Sequence, residues 1–187
     1  KNKMIKNLME YLFVKKYKNL EQKVLGLNFK TPIGLAAGFD YEARLTQTLP
    51  SVGFGFQSVG TITNMPYEGN PAPRLGRLPK SNSILVNKGY KNLGIKETVK
   101  KLIGKKFKYP LGISIGRTNS EILNTVDKSI DDIISAFKLA NKSGVGSSYY
   151  ELNISCPNII HDAGINFFEI KNLEKLLSSV DKLKIKK

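Results

Sequence analysis

The residues best suited to chemistry in this sequence lie in one short segment, Asn153-Ile154-Ser155-Cys156-Pro157-Asn158. Cys156 is the only cysteine, so it cannot form an internal disulfide, and we expect a free thiol. A thiolate is a competent base where its surroundings favour the charged form. The amides of Asn153 and Asn158 could bind a planar heterocycle that carries C=O and N–H groups. The segment therefore predicts a proton-transfer site, although a lone cysteine is more often a small buried apolar residue.

His161, the only histidine, is an alternative general base. It lies in a polar loop with no evident partner to orient its ring, so Cys156 is the stronger candidate. No group of histidine, cysteine and carboxylate residues has the spacing of metal ligands, and we expect no metal site.

Apolar periodicity indicates which elements position this segment. From Pro32 onward, runs of strand length alternate with longer stretches of helical period, which is typical of βα units around a parallel sheet. The predicted strands lie at about 33–36, 56–62, 110–115 and 150–154, and the predicted helices at about 42–49, 95–103, 129–140 and 170–183. A polar insertion, Asn64 to Pro79, follows the second strand and is long enough to be a binding loop or lid.

Small and polar residues follow each predicted strand, where ligands bind in parallel βα folds. Gly38 follows the first strand and lets a flat ligand approach the backbone closely. Thr61 and Ser114 provide hydroxyls that donate and accept hydrogen bonds, and Asn153 ends the fourth strand. We therefore predict that these residues and Cys156 meet at one edge of the sheet.

The composition is strongly basic, with a formal net charge of +15, but only 4 of the 30 cationic residues are arginine. Phosphate-reading surfaces usually favour arginine forks, so we assign most lysines to solvated helix faces and expect no nucleic-acid partner. The charge would still attract a small anionic substrate and a phosphorylated cofactor. No apolar run is long enough to span a membrane, and a cytoplasmic location is the default expectation.

The first 25 residues form a basic amphipathic segment that we separate from an α/β domain at 26–187. Its apolar residues recur at helical spacing among lysines: Met4, Ile5, Leu8, Met9, Leu12 and Phe13. Two interpretations remain open. The segment is either a helix packed on the surface of the domain or a peripheral attachment to the inner face of the cell membrane, on the quinone side.

Four motifs resemble, in order and approximate spacing, those of the FMN-dependent dihydroorotate dehydrogenases. They are the stretches 31–40 (TPIGLAAGFD), 53–63 (GFGFQSVGTIT), 68–74 (EGNPAPR) and 153–158 (NISCPN). The resemblance implies an FMN-binding (β/α)₈ barrel that oxidises dihydroorotate to orotate in pyrimidine biosynthesis. It also implies roles for individual residues. Contacts to FMN would come from Ala37, Gly38, Thr61, Ser114 and Asn153, and contacts to the substrate from Tyr41, Asn87, Asn153 and Asn158, with Cys156 at the position of the catalytic base.

The sequence departs from the family pattern at two positions. Tyr41 stands where the family ordinarily has a substrate-binding lysine, and Lys88 is a candidate substitute. A cysteine base is typical of the soluble branches, whereas the insertion resembles the membrane-associated, quinone-reducing branch. The electron acceptor, whether quinone, fumarate or NAD, therefore stays open.

Length is the third departure. A (β/α)₈ barrel typically needs about 250 residues, and the pattern here accounts for about its first four βα units. We expect that the C-terminal half of the barrel is absent and that a second chain could complete it. Two other functions stay open: a related FMN-dependent dihydropyrimidine or dihydrouridine oxidoreductase, and a non-catalytic half-barrel that binds a partner.

Overall fold

The computed structural model describes residues 3–15, 18–159 and 165–185, so the candidate base His161 lies outside the described residues. Four helices are present in these ranges: α1 (Lys3–Phe13), α2 (Gly94–Leu102), α3 (Val126–Lys142) and α4 (Ile170–Asp181). The strands are β1 (Gln22–Val24), β2 (Leu27–Phe29), β3 (Gly34–Leu35), β4 (Phe56–Ile62), β5 (Leu75–Leu78), β6 (Ser83–Val86), β7 (Leu111–Gly116) and β8 (Tyr149–Asn153).

A parallel sheet with the order β3-β4-β7-β8 forms the centre of the fold. Strands that are successive in this sheet lie side by side, and helices α2 and α3 provide the crossovers from β4 to β7 and from β7 to β8. This is the βα arrangement of a (β/α)₈ barrel, and the predicted fold class is confirmed. Two antiparallel hairpins, β1-β2 and β5-β6, are separate from the sheet.

The core lies between the sheet and its helices. Val59, Ile113 and Ile115 are fully buried on the helix-facing side of β4 and β7. They pack in one apolar cluster with side chains of α2 and α3 that include Ile95, Val99, Leu102, Ile130, Ile133 and Phe137. Alternation along a strand sends the intervening residues to the opposite face. The core therefore fixes which strand residues are available to a ligand.

Helix α3 starts three residues before and ends two residues after its predicted range of 129–140. The Thr125 side chain accepts a hydrogen bond from the Lys128 backbone N–H at 3.2 Å and caps the first turn. Just beyond its C-cap, Gly144 adopts a φ of 73°, a left-handed conformation in which glycine carries no Cβ penalty. These ends align the apolar face of α3 with β7.

The prediction of a helix at 42–49 is wrong. The chain there forms turns that lead into a short 3₁₀ helix at Leu49–Val52. The buried Asp40 carboxylate accepts hydrogen bonds from the backbone N–H groups of Arg44 at 2.7 Å and Leu45 at 2.9 Å, which favours a turn. Ala43 has a φ of 54°, which a right-handed helix excludes.

The insertion after β4 is more structured than its composition indicated. Its second half forms the β5-β6 hairpin, which continues beyond Pro79 to Val86. Both strands of the hairpin are largely exposed, so the burial alternation that predicts most strands is missing from them. The hairpin brings the chain from the insertion back to the end of the parallel sheet.

Helix α1 presents its apolar face to solvent. Met4 is 74% exposed and Leu8 57% exposed, whereas Lys6 on the opposite face donates a hydrogen bond to the Gln47 carbonyl at 2.6 Å. None of the helices in the described part of the chain has the length and apolar content to cross a bilayer. The division drawn at residue 25 falls in the turn between β1 and β2.

Candidate functional site

A cleft of about 300 Å³ opens at the carboxyl ends of the parallel strands. Four segments of the chain line it. Ala37, Gly38 and Tyr41 follow β3, and Gly60 and Thr61 lie near the end of β4. The third segment is the end of β6 and the loop after it (Val86 and residues 88–91), and the fourth is the end of β8 and the loop after it (Asn153 and residues 155–158). The structure therefore gathers most of the sequence-predicted site residues around one space. Asn87 and Ser114 are not among the described residues that line it.

One wall of the cleft is made of small residues. Gly38 has a φ of 107°, and a Cβ built on it would meet no atom of the described chain within 4 Å, so the space over it is open. Its backbone N–H donates to the Gly60 carbonyl at 2.7 Å, which holds the ends of β3 and β4 together. Ala37 and Thr61 flank these glycines in the cleft lining. A planar ring could lie flat against such a wall.

A chain of polar side chains supports this wall. The Asn153 Nδ2 donates to Thr61 Oγ1 at 2.7 Å, and Thr61 Oγ1 lies 3.2 Å from Ser114 Oγ. The Asn153 Oδ1 accepts from the backbone N–H and the hydroxyl of Ser155, both at 3.2 Å. Ser114 is fully buried, so it reaches the cleft only through Thr61. The amide of Asn153 is thereby fixed, and among the described residues no acceptor is recorded for its second N–H.

Cys156 is half-buried in the cleft lining, beside the phenol of Tyr90. Burial raises the pKa of Tyr90, and the neighbouring Cys156 raises it further by its charge. Tyr90 therefore keeps its proton at neutral pH. Its hydroxyl lies 3.4 Å from the Asn153 carbonyl, and its ring lies over Gly116, where a Cβ would come within 2.9 Å of the Tyr90 Cε2.

Tyr41 and Lys88 form a pair at the cleft. The Lys88 Nζ lies 4.4 Å from the centroid of the Tyr41 ring, in cation–π geometry. Lys91, the other lysine in the described lining, pairs with Glu68 at 3.1 Å. Within the described ranges, the ammonium of Lys88 has no carboxylate at ion-pair distance. Lys88 therefore brings positive charge to the cleft despite tyrosine at position 41.

The loop after β8 is tied to the insertion by asparagine side chains. The Asn158 Nδ2 donates to the Val86 carbonyl at 3.0 Å, and the Asn158 carbonyl accepts from the Asn70 Nδ2 at 2.8 Å. The same Nδ2 donates to the Asn87 Oδ1 at 2.7 Å, which turns the oxygen of Asn87 toward Asn70. Asn87 is exposed and is not among the described residues that line the cleft.

Sequence reasoning missed Tyr90 and Asn70. Tyr90 lies three residues after the predicted substrate ligand Asn87, but no sequence pattern indicates that its ring turns toward Cys156. Asn70 lies in the EGNPAPR motif, which signalled the family and not a role. Tyr90 lies at the site through its hydrogen bond to Asn153, 63 positions away, and Asn70 through its hydrogen bond to Asn158, 88 positions away.

A parallel βα sheet with a ligand cleft at its carboxyl edge is the site architecture of the (β/α)₈-barrel enzymes. A family model described as dihydroorotate dehydrogenase matches residues 19–187. The chain belongs to the dihydroorotate dehydrogenase family, as its motifs predicted.

Curated relatives agree with this assignment. A dihydroorotate dehydrogenase (quinone) from Trichodesmium erythraeum is 37% identical over 158 residues, which cover 82% of this chain and 40% of the relative. One from Nitrosospira multiformis is 39% identical over 137 residues, which cover 73% of this chain and 38% of the relative. The chain thus spans about two fifths of the length of these relatives.

Solved structures agree as well. The crystal structure of DHODH from Eimeria tenella in complex with ferulenol superposes with a TM-score of 0.76 and is 27% identical in sequence. The superposition covers 97% of this chain and 50% of that one. A ligand-free structure from the same organism gives a TM-score of 0.75. The parallel strands and their helices therefore have the arrangement found in DHODH structures.

Proposed function

We propose that the protein oxidises dihydroorotate to orotate with FMN, with Cys156 as the catalytic base. The observation that supports this best is the common cleft, in which Cys156 and Asn158 face the small-residue wall of Gly38 and Thr61. A thiol can act as the base, two amides can bind the polar edge of a substrate ring, and the open wall leaves room for a flat hydride acceptor. Family membership makes this the first choice among flavin-dependent oxidations.

The residues present fit a flavin. The open space over Gly38 and the small side chains of Ala37 and Thr61 leave room for an isoalloxazine ring. Thr61 and Asn153 would bind the polar edge of the ring, and Ser114 would hold Thr61 in place from behind. The bound flavin supplies the redox chemistry by accepting the hydride from C6 of dihydroorotate.

The residues of the chain provide the proton transfer and the orientation of the substrate. Cys156, as the thiolate, would remove the proton from C5 and become the thiol, while the two electrons leave C6 with the hydride. Tyr90 stays protonated, because burial raises its pKa, and its hydroxyl would turn from the Asn153 carbonyl to donate to the thiolate. Asn158 would bind the ring edge of the substrate, and Lys88 its carboxylate.

For the electron acceptor we propose a quinone, reached from a membrane surface. The curated relatives carry the name dihydroorotate dehydrogenase (quinone). The exposed apolar face of α1 supports this proposal, because a helix packed on its own domain would bury that face. Lys6 and Glu10 face the body instead, so the helix is oriented with its apolar side outward.

The proposal is tested with Cys156→Ala in the complete, FMN-loaded protein. We expect the rate of flavin bleaching by saturating dihydroorotate to fall about 100-fold or more, which is the usual contribution of a general base. The flavin absorbance of the purified variant should be unchanged, because the wall residues remain. Bleaching at the parental rate would refute the assignment of Cys156.

Cys156→Ser distinguishes a base from a packing residue. A serine of similar size should preserve stability but require a higher pH for the same rate, because its hydroxyl is a much weaker acid than a thiol. The measurement is the pH profile of flavin reduction in single-turnover mixing. An identical profile for the serine and cysteine forms would remove the thiol from the mechanism.

A further inference from the structure

Asn70 connects the insertion to the loops that follow β6, β7 and β8. It lies between β4 and β5, far from Cys156 in sequence, and its side chain is half-buried. Its hydrogen-bond partners come from the loop after β6 (Asn87), the loop after β7 (Asn119), the loop after β8 (Asn158) and the insertion itself (Tyr67).

The side-chain amide of Asn70 is fully used by these partners. Its Nδ2 donates to the Asn87 Oδ1 at 2.7 Å and to the Asn158 carbonyl at 2.8 Å. Its Oδ1 accepts from the Tyr67 hydroxyl at 2.8 Å and from the Asn119 Nδ2 at 3.1 Å. An amide has two donor hydrogens and two acceptor lone pairs, so all four are occupied. Any rotation of Asn70 would break several of these bonds at once.

Close packing fixes Asn70 further. A Cβ on Gly89 would lie 2.2 Å from the Asn70 Oδ1, so the amide lies directly against the backbone of Gly89. Tyr90, the next residue, contacts Cys156. Asn158 lies two residues after Cys156 on the other side of the cleft lining. Asn70 therefore contacts both loops that hold the thiol.

The network also sets which atom of Asn158 a ligand meets. Asn158 donates its Nδ2 to the Val86 carbonyl at 3.0 Å, while Asn70 holds the Asn158 backbone. The Val86 carbonyl takes one N–H of the Asn158 amide, which leaves the second N–H and the Oδ1 for a ligand, and the Oδ1 can only accept a hydrogen bond. A ligand that uses the Oδ1 must present an N–H to it.

We infer that Asn70 is a positioning residue for substrate specificity: it holds the loop of Cys156 and Asn158 so that the Asn158 Oδ1 accepts a ring N–H of the substrate. The inference rests on the proposed function and adds which atom of Asn158 binds the substrate and that this atom acts as an acceptor. Asn70 acts through Asn158 and does not itself line the cleft among the described residues.

Asn70→Asp in the complete, FMN-loaded enzyme is the direct test. The carboxylate keeps the shape and both acceptors, but it has no N–H for Asn87 or Asn158 and repels their oxygens. We expect the Kd of orotate and the KM of dihydroorotate to rise about 10- to 100-fold, since small misplacements of a binding group have effects of this size. Asn82→Asp is the matched control, because Asn82 is exposed at the tip of the β5-β6 hairpin.

Discrimination between substrates separates positioning from general support. The parent enzyme should strongly prefer dihydroorotate to an analogue that carries a methyl group on the ring N–H facing Asn158. In Asn70→Asp this preference should shrink by about tenfold or more, because the acceptor is no longer held in place. Equal losses for both compounds, or values equal to those of Asn82→Asp, would overturn the inference while leaving the proposed function intact.

If Asn70→Asp does not fold or does not bind the flavin, Tyr67→Phe provides a second test. This variant removes only the hydroxyl that donates to the Asn70 Oδ1. A smaller loss of discrimination in the same direction is expected, and full discrimination would overturn the inference. A parent enzyme that neither binds orotate nor is reduced by dihydroorotate would refute the proposed function and this inference together.

Discussion

The two faces of the parallel sheet carry side chains of different size and polarity. On the helix-facing side, β4 and β7 present Val59, Ile113 and Ile115, which are fully buried and bulky. On the other side, β7 presents Ser114 with glycines at 112 and 116, and a Cβ on Gly112 would lie 2.1 Å from the Tyr149 ring. The helix-facing side of these strands therefore carries bulky apolar side chains, whereas the opposite side of β7 carries only small ones.

This difference shows how one strand serves two purposes. Apolar volume on the helix side provides stability through burial and close packing. Small and hydroxyl side chains on the other side leave space and hydrogen-bonding groups for Tyr90, Tyr149 and a ligand. Ser58 on β4 continues this polar face with hydrogen bonds to the Tyr149 hydroxyl and to Glu151, both at 3.0 Å. Substitutions on the two faces should therefore differ in kind.

The largest effect on stability is expected from Ile113→Ala, with Ser114→Ala as its neighbour on the opposite face. Ile113 is fully buried in the main cluster, so its truncation should lower the free energy of unfolding by about 2–5 kcal/mol. Removing the Ser114 hydroxyl should lower it by only about 0.5–1.5 kcal/mol, because one hydrogen bond to Thr61 is lost. Urea denaturation of both variants measures the difference. Equal losses of unfolding free energy in the two variants would contradict the conclusion that stability comes mainly from the helix-facing side.

An intermediate effect, confined to substrate binding, is expected from Lys88→Gln. Loss of the ammonium over Tyr41 should raise the KM for dihydroorotate about 10- to 100-fold, as for a lost charged hydrogen bond. The turnover at saturation and the free energy of unfolding should change little. Lys91→Gln is the matched comparison and should have a smaller effect, because Lys91 already pairs with Glu68. A larger effect of Lys91→Gln would assign the anion contact to Lys91.

The smallest effect on the folded protein is expected from Leu8→Glu on α1. Leu8 is 57% exposed, so the free energy of unfolding should change by less than about 0.5 kcal/mol. Binding to anionic phospholipid vesicles should nevertheless fall about tenfold or more, because an apolar contact is lost and a negative charge is added. Asn7→Glu adds the same charge on the side of α1 near the body and should reduce vesicle binding less. Unchanged sedimentation of Leu8→Glu with vesicles would exclude this face as the attachment.

Strong periodicity accounts for the elements that were predicted well. The predicted range of β4 matches the structure, and α3 is longer than predicted by three residues at its start and two at its end. The helix at 42–49 was wrong because Asp40, a single side chain, competes for the backbone N–H groups of the next turn. The β5-β6 hairpin was missed because exposed strands have no burial alternation to detect.

The sequence by itself determined the family, the βα order and the strand-end residues that meet in the cleft, because local periodicity and short motifs are written in consecutive positions. It also placed Gly38, Thr61 and Cys156 at the ends of different strands, and parallel pairing brings such ends together. Their roles in catalysis stay predictions.

Only the tertiary structure decided which further side chains serve that cleft. Asn70 reaches Asn158 across 88 positions, and Tyr90 reaches Asn153 across 63. It also decided that the Asn87 side chain accepts a hydrogen bond from Asn70 and that Lys88 lies over Tyr41. The direction of a side chain depends on the loops packed around it. A hydrogen bond between distant loops forms only after the strands have set the loop positions, so no local pattern records it.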